Sequence, residues 1–576
     1  MTDDSTTTIP GIEDWQHWAL VMARANQMMM EAWADNLDKA SHMPGFGLSQ
    51  PPAAAGDPMQ WMSAGAEAWS KGLEAWGQML GQYSAAGEQK DRRFGSPEWR
   101  ESPIFDTVRQ SYLAISDKLM GTVEEIEGLD EAARNRLRFA TKGFVDAMSP
   151  ANFMATNPEV MKRTVETKGE NLLAGLKNML ADISRGQVTQ SPEGAFELGR
   201  NLATTPGKVI YETKLFQLIH YAPTTEGVLE TPLVIFPPWI NRFYILDLNP
   251  KKSFVKWAVE QGVTVFMVSW RSADESMAEV TWDDYVRAQI EAVDAVRERL
   301  GVPAVHTIGY CVAGTTLAAT LAILARRGQA DKVASATFLT AQVDFERAGD
   351  LTLFVDDSQL ELVRQASRGG YLDGRYMAAT FNLLRGTDLI WNTVVNHYLL
   401  GEDYPAFDLL HWNGDVTNLP AKWHEAYLRD CYRDNKLVEP DALEADGTPI
   451  DLRLIETPAY VQAGREDHIA PPDSVLRMLD HLKGPKRFVL AGSGHIAGVV
   501  NPPAAGKYQY WTGAPADSLA AFLSKAEEHP GSWWTDWLQW LREQAPETVP
   551  AEGKWVPGGR DDKVLEDAPG TYVAMR

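Results

Sequence analysis

Cysteine is scarce in this chain of 576 residues, where only Cys311 and Cys431 occur. Two thiols so far apart in the sequence exclude a disulfide framework and a CxxC metal motif. Each cysteine therefore has to be judged by its own surroundings, as a free thiol in a reducing compartment. The sequence predicts no metal site.

Positively charged residues are also few: the chain has 54 Lys and Arg residues and 78 Asp and Glu residues, which gives a net charge of −24. Nucleic-acid binding depends on clustered Lys and Arg side chains that contact phosphates, so we expect no nucleic-acid partner. Hydrophobic residues make up 44% and charged residues 23% of the chain, which are globular proportions and exclude wholesale disorder.

Long hydrophobic runs are missing as well. The longest apolar stretch, residues 312–325, includes threonines and is shorter than the ~20 apolar residues that span a bilayer. The chain starts MTDDSTTTIPGIEDW, which is acidic and has no basic region followed by an apolar core. We therefore expect no transmembrane segment, no signal peptide and a cytoplasmic location.

The pattern of the chain changes near residue 205. Before that point, apolar residues recur at helical spacing between Pro- and Gly-rich breaks, which predicts a helical N-terminal domain over residues 1–204. Two apolar stripes in it are rich in tryptophan: Trp15, Trp18, Met22, Met29 and Trp33 form one, and Trp69, Leu73, Trp76 and Leu80 form the other. Such stripes either pack into a helical core or bind an apolar surface.

After residue 205, short apolar runs alternate with helical segments. The predicted strands cover residues 208–213, 215–221, 233–236, 264–269, 305–308, 334–339, 459–461 and 488–491. This alternation predicts an α/β domain with a mostly parallel sheet between helices. Residues 343–450 interrupt it with helical, aromatic-rich sequence that is too long for a loop, and we interpret them as an inserted cap. The α/β domain then comprises residues 205–342 and 451–576.

The most informative segment, residues 302–316, reads VPAVHTIGYCVAGTT. An apolar strand ends at Gly309, Cys311 follows, and the small residues Ala313 and Gly314 open a helix. Small neighbours at a sharp strand-to-helix turn are typical of an exposed nucleophile, and a helix N-terminus favours the thiolate. A small buried cysteine is the alternative, and the flanking strand and helix favour the nucleophile.

A nucleophile of this kind needs a base and a group that orients the base. In α/β-hydrolases these follow the nucleophile in the order acid, histidine. Asp467 follows a predicted strand beyond the cap, and His495 lies in a glycine-rich loop after the next strand. We therefore predict Cys311, Asp467 and His495 as a catalytic triad, with a helix-capping Asp467 and a structural His495 as the alternatives for each alone. His468 is a second candidate base and ranks below His495.

An oxyanion hole requires backbone N–H groups that face the developing negative charge. The first predicted donor is Val312, directly after the nucleophile, and the second belongs to the loop after the third strand. That loop reads FPPWIN over residues 236–241, and its two prolines have no N–H. Trp239, Ile240 and Asn241 remain, and we choose Ile240.

Several motifs together resemble the polyhydroxyalkanoate synthase family, in which a cysteine replaces the serine of a lipase-type nucleophile motif. The similar segments are GYCVAG at 309–314, FPPWINRFYILDL at 236–248, VSWR at 268–271, WDDY at 282–285, GREDHI at 464–469, GHIAGVVNPP at 494–503 and SPANF at 149–153. Ala313 departs from the glycine that the family usually has, and we expect an altered turn with the nucleophile retained. The FPPW form and the single long chain resemble the class I type, which favours short-chain substrates.

The resemblance implies an α/β-hydrolase-like fold with a mobile cap, preceded by a helical domain that supports granule binding and dimerisation. It implies an acyltransferase that polymerises (R)-3-hydroxyacyl-CoA, in particular 3-hydroxybutyryl-CoA, into polyhydroxyalkanoate and releases CoA through an acyl-cysteine. The CoA thioester is then a substrate, no cofactor or metal is expected, and the protein is expected to associate with cytoplasmic granules as a homodimer. His468 and Asp247, within the similar segments, are candidate substrate-pocket residues.

Two other functions compete with this one: a thioesterase or polyester depolymerase of the same fold, and a non-catalytic granule-coating protein. The cysteine favours the transferase, because exchange of a thioester onto a thiol is nearly isoenergetic and keeps the acyl group activated. A covered pocket also excludes the water that would hydrolyse it. The triad pattern argues against a coat protein alone.

Overall fold

A computed structural model describes residues 91–129, 131–559 and 562–576. The two tryptophan-rich stripes, within residues 15–33 and 69–80, lie outside the described residues, so their helices stay predictions. In the described part of the chain, no helix is long and apolar enough to cross a membrane. The same residues contain no group of three or more His, Cys, Asp or Glu side chains that could hold a metal ion.

The chain divides into two compact units. The first comprises the described residues up to Thr189 together with Ala379–Tyr404, and the second comprises Gln190–Ala378 and Pro405–Arg576. The predicted domain boundaries after residues 204, 342 and 450 stay predictions, as does the role of residues 343–450 as a cap.

The first unit is helical, as the sequence pattern predicts. Its helices are α1 (Glu98–Glu101), α2 (Pro103–Glu125), α3 (Glu131–Ala147), α4 (Pro158–Glu166) and α5 (Glu170–Arg185), with two π-helical segments at Thr387–Trp391 and Val394–Leu399. Gly175 allows α5 to approach the second π-helical segment, because a Cβ there would lie 1.8 Å from the carbonyl oxygen of Tyr398. Asn171 adds a hydrogen bond from its Nδ2 to the Leu399 carbonyl, at 2.8 Å.

The second unit is built on an eleven-stranded sheet. Its strands are β1 (Gly207–Glu212), β2 (Phe216–Tyr221), β3 (Leu233–Phe236), β4 (Val265–Trp270), β5 (Val305–Tyr310), β6 (Val333–Leu339), β7 (Ala459–Gly464), β8 (Lys486–Ala491), β9 (Gln509–Gly513), β10 (Glu527–Pro530) and β11 (Glu566–Asp567). In space they follow the order β10-β9-β8-β7-β6-β5-β3-β4-β2-β1-β11. The six strands from β8 to β4 are parallel to one another, and the strands outside them pair antiparallel.

Alternate side chains of the central strands enter two different cores. In β3, for example, Val234 and Phe236 belong to one core, while Leu233 and Ile235 belong to the other. The helices that cover the sheet are α6 (Phe254–Glu260), α7 (Trp282–Leu300), α8 (Val312–Arg326), α13 (Pro472–His481), α14 (Leu519–Leu523) and α15 (Trp534–Gln544). Strands of a sheet that is buried on both faces are apolar at successive positions. This mostly parallel sheet between helices is the α/β-hydrolase-like architecture predicted from the sequence.

The residues between β6 and β7 contribute no strand to this sheet. They contain α9 (Asp357–Ala366), α10 (Gly374–Leu384), α11 (Asp408–Gly414), α12 (Ala421–Tyr427) and a π-helical segment at Leu428–Arg433. Two short antiparallel pairs also lie there, Tyr371–Leu372 with Leu419–Pro420 and Glu444–Ala445 with Thr448–Pro449. Part of this insertion, Ala379–Tyr404, groups with the first unit.

Strands β1 to β8 confirm the eight predicted strands, with ends that differ by up to three residues. The prediction missed β9, β10 and β11, which lie toward the two edges of the sheet. Three of the four residues of β10 are exposed, so this strand has no apolar run to reveal it. Edge strands of this kind are recognised by their pairing and not by their hydrophobicity.

Three histidines are buried in this unit away from the triad. Burial lowers the pKa of His220 to about 3 and the pKa of His306 and His424 to about 4. The ring of His220 stacks on Phe266 with the ring centroids 4.2 Å apart, and neither of its nitrogens has a partner among the described residues. These histidines are therefore neutral in the folded protein near neutral pH.

Candidate active site

Cys311 occupies the sharp turn between β5 and α8, as the sequence predicts for a nucleophile. Its φ of 54° and ψ of −129° lie outside the regions that most residues adopt, and it is the N-cap residue of α8. Its backbone N–H donates to the Leu339 carbonyl at 3.0 Å, which anchors the turn to the neighbouring strand β6. The side chain is partly exposed, whereas Cys431 is fully buried and its thiol pKa is raised by that burial.

The small residues around Cys311 are required by close contacts. A Cβ on Gly309 would lie 2.5 Å from the Cα of Gly314, and a Cβ on Gly314 would lie 2.5 Å from the Cβ of Ala341. Strand β5 and helix α8 can therefore approach each other only because both positions lack a side chain. Ala313, where the resemblance leads one to expect glycine, is completely buried and its methyl group is accommodated.

Asp467 and His495 meet at the carboxyl ends of β7 and β8. Oδ1 of Asp467 accepts backbone N–H groups of Ile469 and Ala470 at 2.8 and 2.9 Å. Oδ2 is thereby aimed at His495, whose Nδ1 donates to it at 2.7 Å. The His495 carbonyl in turn accepts the Tyr310 hydroxyl at 3.0 Å, which fixes the histidine loop to the end of β5.

The pKa of His495 reflects both Asp467 and Cys311. Burial alone would lower the pKa of His495, but the Asp467 carboxylate and the negative charge of the nearby Cys311 sulfur outweigh it and raise the pKa to about 10. With Nδ1 engaged by Asp467, Nε2 is the ring nitrogen left to accept a proton. The structure thus joins Asp467 and His495 by a hydrogen bond, and the charge of Cys311 is close enough to influence the ring. The catalytic triad itself stays a prediction.

The two predicted oxyanion donors, Val312 and Ile240, belong to segments that adjoin the turn at Cys311, and their role stays a prediction. Val312 is the first residue of α8, and its N–H, like those of the first turn of any helix, has no acceptor within the helix. Strand β3 pairs with β5 so that Phe236 lies opposite Gly309, which brings the loop after β3 next to Cys311. Within that loop the Asn241 N–H donates to the Thr417 hydroxyl at 2.9 Å, so Trp239 and Ile240 remain as donors.

The two predicted pocket residues have different surroundings. His468 is partly buried next to Asp467, and its carbonyl oxygen would lie 3.1 Å from a Cβ on Gly349. Asp247 is buried and accepts the hydroxyls of Thr205 and Ser253, each at 2.6 Å. These contacts give Asp247 a structural role in its turn. A substrate-pocket role for either residue stays a prediction.

Two tyrosines of the insertion were missed as candidate site residues. Tyr427 in α12 is buried, and Tyr432 in the following π-helical segment is half-buried. Desolvation raises the pKa of both tyrosines, and the charge of the nearby Cys311 sulfur adds to this effect. Their rings meet edge to face, 5.5 Å apart. The aromatic-rich composition of residues 343–450 pointed to the region, but only the tertiary structure places these two side chains near enough for the charge of Cys311 to influence them.

Models of two protein families match the chain. Residues 90–258 match the family described as poly-beta-hydroxybutyrate polymerase (PhaC) N-terminus, and residues 232–502 match the alpha/beta hydrolase fold. A solved esterase from Thermogutta terrifontis aligns at 11% identity with a TM-score of 0.30, over 59% of this chain and 98% of its own.

Curated relatives match over nearly the whole chain. The poly(3-hydroxyalkanoate) polymerase of Methylorubrum extorquens is 46% identical, over 84% of this chain and 81% of its own. The poly(3-hydroxyalkanoate) polymerase subunit PhaC of Rhizobium meliloti is 44% identical, over 88% of this chain and 83% of its own, and that of Cupriavidus necator is 43% identical, over 93% and 92%. The chain therefore belongs to the poly(3-hydroxyalkanoate) polymerase family and is an acyltransferase.

Proposed function

We propose that this protein polymerises (R)-3-hydroxyacyl-CoA, with 3-hydroxybutyryl-CoA as the preferred substrate, into polyhydroxyalkanoate and releases CoA. The observation that carries the proposal is the hydrogen bond between Asp467 and His495, together with Cys311 on the neighbouring strand-to-helix turn, in a member of the polymerase family. CoA enters only as part of the substrate and leaves as product, and no resident cofactor or metal takes part.

The first step is acylation of the nucleophile. The Cys311 thiol gives its proton to His495, and its sulfur attacks the thioester carbonyl of the substrate. The N–H groups of Val312 and Ile240 stabilise the oxyanion of the tetrahedral intermediate. The carbon–sulfur bond to CoA then breaks, His495 returns the proton to the departing CoA sulfur, and the acyl group remains on Cys311 as a thioester.

The second step transfers that acyl group to a hydroxyl. His495 removes the proton from the 3-hydroxyl group of another hydroxyacyl unit, whose oxygen attacks the Cys311 thioester. An ester bond forms, the bond to Cys311 breaks, and the thiol takes the proton back. Asp467 orients His495 and stabilises the imidazolium that forms in both steps.

Transfer to a hydroxyl has to compete with hydrolysis by water. The side chain of His495 is only 11% exposed, and the buried Tyr427 and half-buried Tyr432 lie near Cys311. A covered thioester is protected from water, which supports a transferase over a thioesterase or depolymerase. We propose that residues 343–450 act as a cap that opens for CoA, and that His468 and Asp247 contribute to the pocket.

The granule is the proposed location, with the protein acting as a homodimer. The tryptophan-rich stripes supply an apolar surface for an uncharged polyester, since each buried aromatic side chain contributes about 1.5–3 kcal/mol. Replacing Trp15, Trp18 and Trp33 by serine in the full chain should then weaken sedimentation with granules while CoA release persists. Unchanged sedimentation would assign these stripes to the protein core.

Purified protein with 3-hydroxybutyryl-CoA tests the reaction itself. CoA release and turbidity are followed together, and the product is extracted and its chain length measured. We expect both signals to rise together and both to be lost in Cys311→Ala. Stoichiometric CoA release that yields free 3-hydroxybutyrate would show a thioesterase and not a polymerase. Turbidity that persists in Cys311→Ala would show that Cys311 is not the nucleophile.

A further inference from the structure

Thr417 forms hydrogen bonds with the backbone of both residues that flank the predicted oxyanion donor Ile240. Its hydroxyl donates to the carbonyl of Trp239 at 2.6 Å and accepts the backbone N–H of Asn241 at 2.9 Å. One hydroxyl therefore holds the peptide groups that precede and follow Ile240. The side chain is buried, so water does not replace it in either bond.

The backbone that Thr417 holds has an unfavourable conformation. Asn241 has a φ of 71°, in the left-handed region that residues other than glycine rarely adopt. Such a conformation persists only where surrounding contacts impose it. The hydrogen bond from the Asn241 N–H to Thr417 is one of these contacts. The second bond, from the Thr417 hydroxyl to the Trp239 carbonyl, fixes the direction of the Ile240 N–H, because that carbonyl and that N–H belong to one planar peptide group.

The segment that carries Thr417 is anchored by bonds that do not involve its hydroxyl. Asp415 forms a buried ion pair with Arg242 at 3.3 Å and accepts the Tyr244 hydroxyl at 2.7 Å. Asn418 donates from its backbone N–H to the Ser272 hydroxyl at 3.0 Å. Removing only the Thr417 hydroxyl therefore leaves the segment in place and releases the loop around Ile240.

The rest of the loop is held at its ends. The indole N–H of Trp270 donates to the Pro237 carbonyl at 2.8 Å, and that of Trp412 donates to the Arg242 carbonyl at 2.7 Å. Between these two points, Thr417 provides the side-chain contacts to the backbone on either side of Ile240. The orientation of the Ile240 N–H thus depends on a residue far away in the sequence, in the insertion between β6 and β7.

We propose that Thr417 is a positioning residue for acyl transfer, which orients the Ile240 N–H toward the oxyanion. The inference rests on the proposed function, because it assigns Thr417 to the same reaction. A threonine hydroxyl suits this position because it donates and accepts at once. Because Thr417 belongs to the insertion, the oxyanion hole is complete only when the segment that carries Thr417 is packed against the loop around Ile240.

The test compares Thr417→Val with Thr417→Ser in the full chain. Valine keeps the shape and loses both hydrogen bonds, whereas serine keeps the hydroxyl. We expect Thr417→Val to lower kcat for CoA release by about 10- to 100-fold, below the loss of about 10²–10³ that follows removal of an oxyanion donor. KM and the rate of Cys311 alkylation by iodoacetamide should stay unchanged, and Thr417→Ser should restore most of kcat.

Thr337→Val is the matched control. Thr337 is equally buried, and its hydroxyl accepts the indole N–H of Trp537 at 3.0 Å in a part of the sheet without contact to the oxyanion loop. We expect Thr337→Val and Thr417→Val to lower Tm by similar amounts, whereas Thr337→Val should leave kcat unchanged. The inference is overturned if Thr417→Val keeps kcat, if serine does not rescue it, or if alkylation of Cys311 slows in parallel with kcat.

The same experiment separates this inference from the proposed function. Polymer formation by the wild-type protein tests the function, and the dependence of CoA release on Thr417 tests the positioning role. A wild-type protein that releases CoA without polymer refutes polymerisation, while a kcat loss in Thr417→Val still supports the positioning role.

Discussion

Replacing Asp467 by asparagine tests the triad with little change in shape. The asparagine carbonyl can still accept the N–H groups of Ile469 and Ala470, which now bond to Oδ1 of Asp467. The amide NH₂ then faces Nδ1 of His495 and donates to it. His495 must take the tautomer whose proton points at Cys311, and it can no longer accept the proton of that thiol.

The size of the loss follows from the pKa of His495. Asp467 and Cys311 together hold this pKa near 10 instead of the ordinary 6.5. This difference corresponds to about 5 kcal/mol of stabilisation of the imidazolium, and half of it, ~2–3 kcal/mol, lowers the rate by roughly 10²-fold. The wrong tautomer adds to this loss, so we expect kcat to fall by about 10³–10⁴-fold.

The rate of single-turnover acylation by 3-hydroxybutyryl-CoA measures this effect directly, with CoA release as the signal. The matched control is Asp451→Asn, since Asp451 is also buried and accepts a backbone N–H, that of Arg453 at 3.0 Å. Both variants should melt near the wild-type Tm, and only Asp467→Asn should lose acylation. An Asp467→Asn protein that acylates at close to the wild-type rate would refute the role assigned to Asp467.

Three further predictions follow from the same structure. Cys311→Ala should lower turnover by about 10⁴-fold or more, whereas Cys431→Ala should keep it in the CoA-release assay; equal losses would contradict the choice of nucleophile. Gly314→Ala should lower the free energy of unfolding by about 1–3 kcal/mol through overpacking, while Ala313→Gly, by denaturant unfolding, should cost no more than about 1 kcal/mol. His220→Phe should stabilise the protein, and by more at acid pH. The folded pKa of His220 is about 3, so below pH 6.5 the unfolded wild-type chain binds a proton at His220 that the folded protein does not bind. The wild-type protein therefore loses about 1.4 kcal/mol of stability per pH unit as the pH falls, and the variant is spared this loss. A constant difference between the two proteins from pH 7.5 to pH 5 would show that His220 does not titrate on unfolding.

The sequence alone determined the parts of this protein that depend on neighbouring residues. Strands β1 to β8 follow from short apolar runs, because a strand buried on both faces needs apolar residues at successive positions. The turn at Cys311 follows from Gly309 and Gly314, because only small residues allow β5 and α8 to touch there. The order of Cys311, Asp467 and His495, each after a strand, was sufficient to predict the triad, of which the structure gives the hydrogen bond between Asp467 and His495.

Only the tertiary structure decided what depends on contacts between distant residues. Strands β9 to β11 are defined by their partners, and Ala379–Tyr404 joins the first unit through packing that no local pattern indicates. Tyr427, Tyr432 and Thr417 reach the site from the insertion, more than a hundred residues beyond Cys311 in the sequence. Their chemistry is visible in the sequence, but their positions are set by the docking of the insertion on the sheet. Such long-range contacts form only when the whole chain has folded, since their entropic cost is offset by the packing of many residues together.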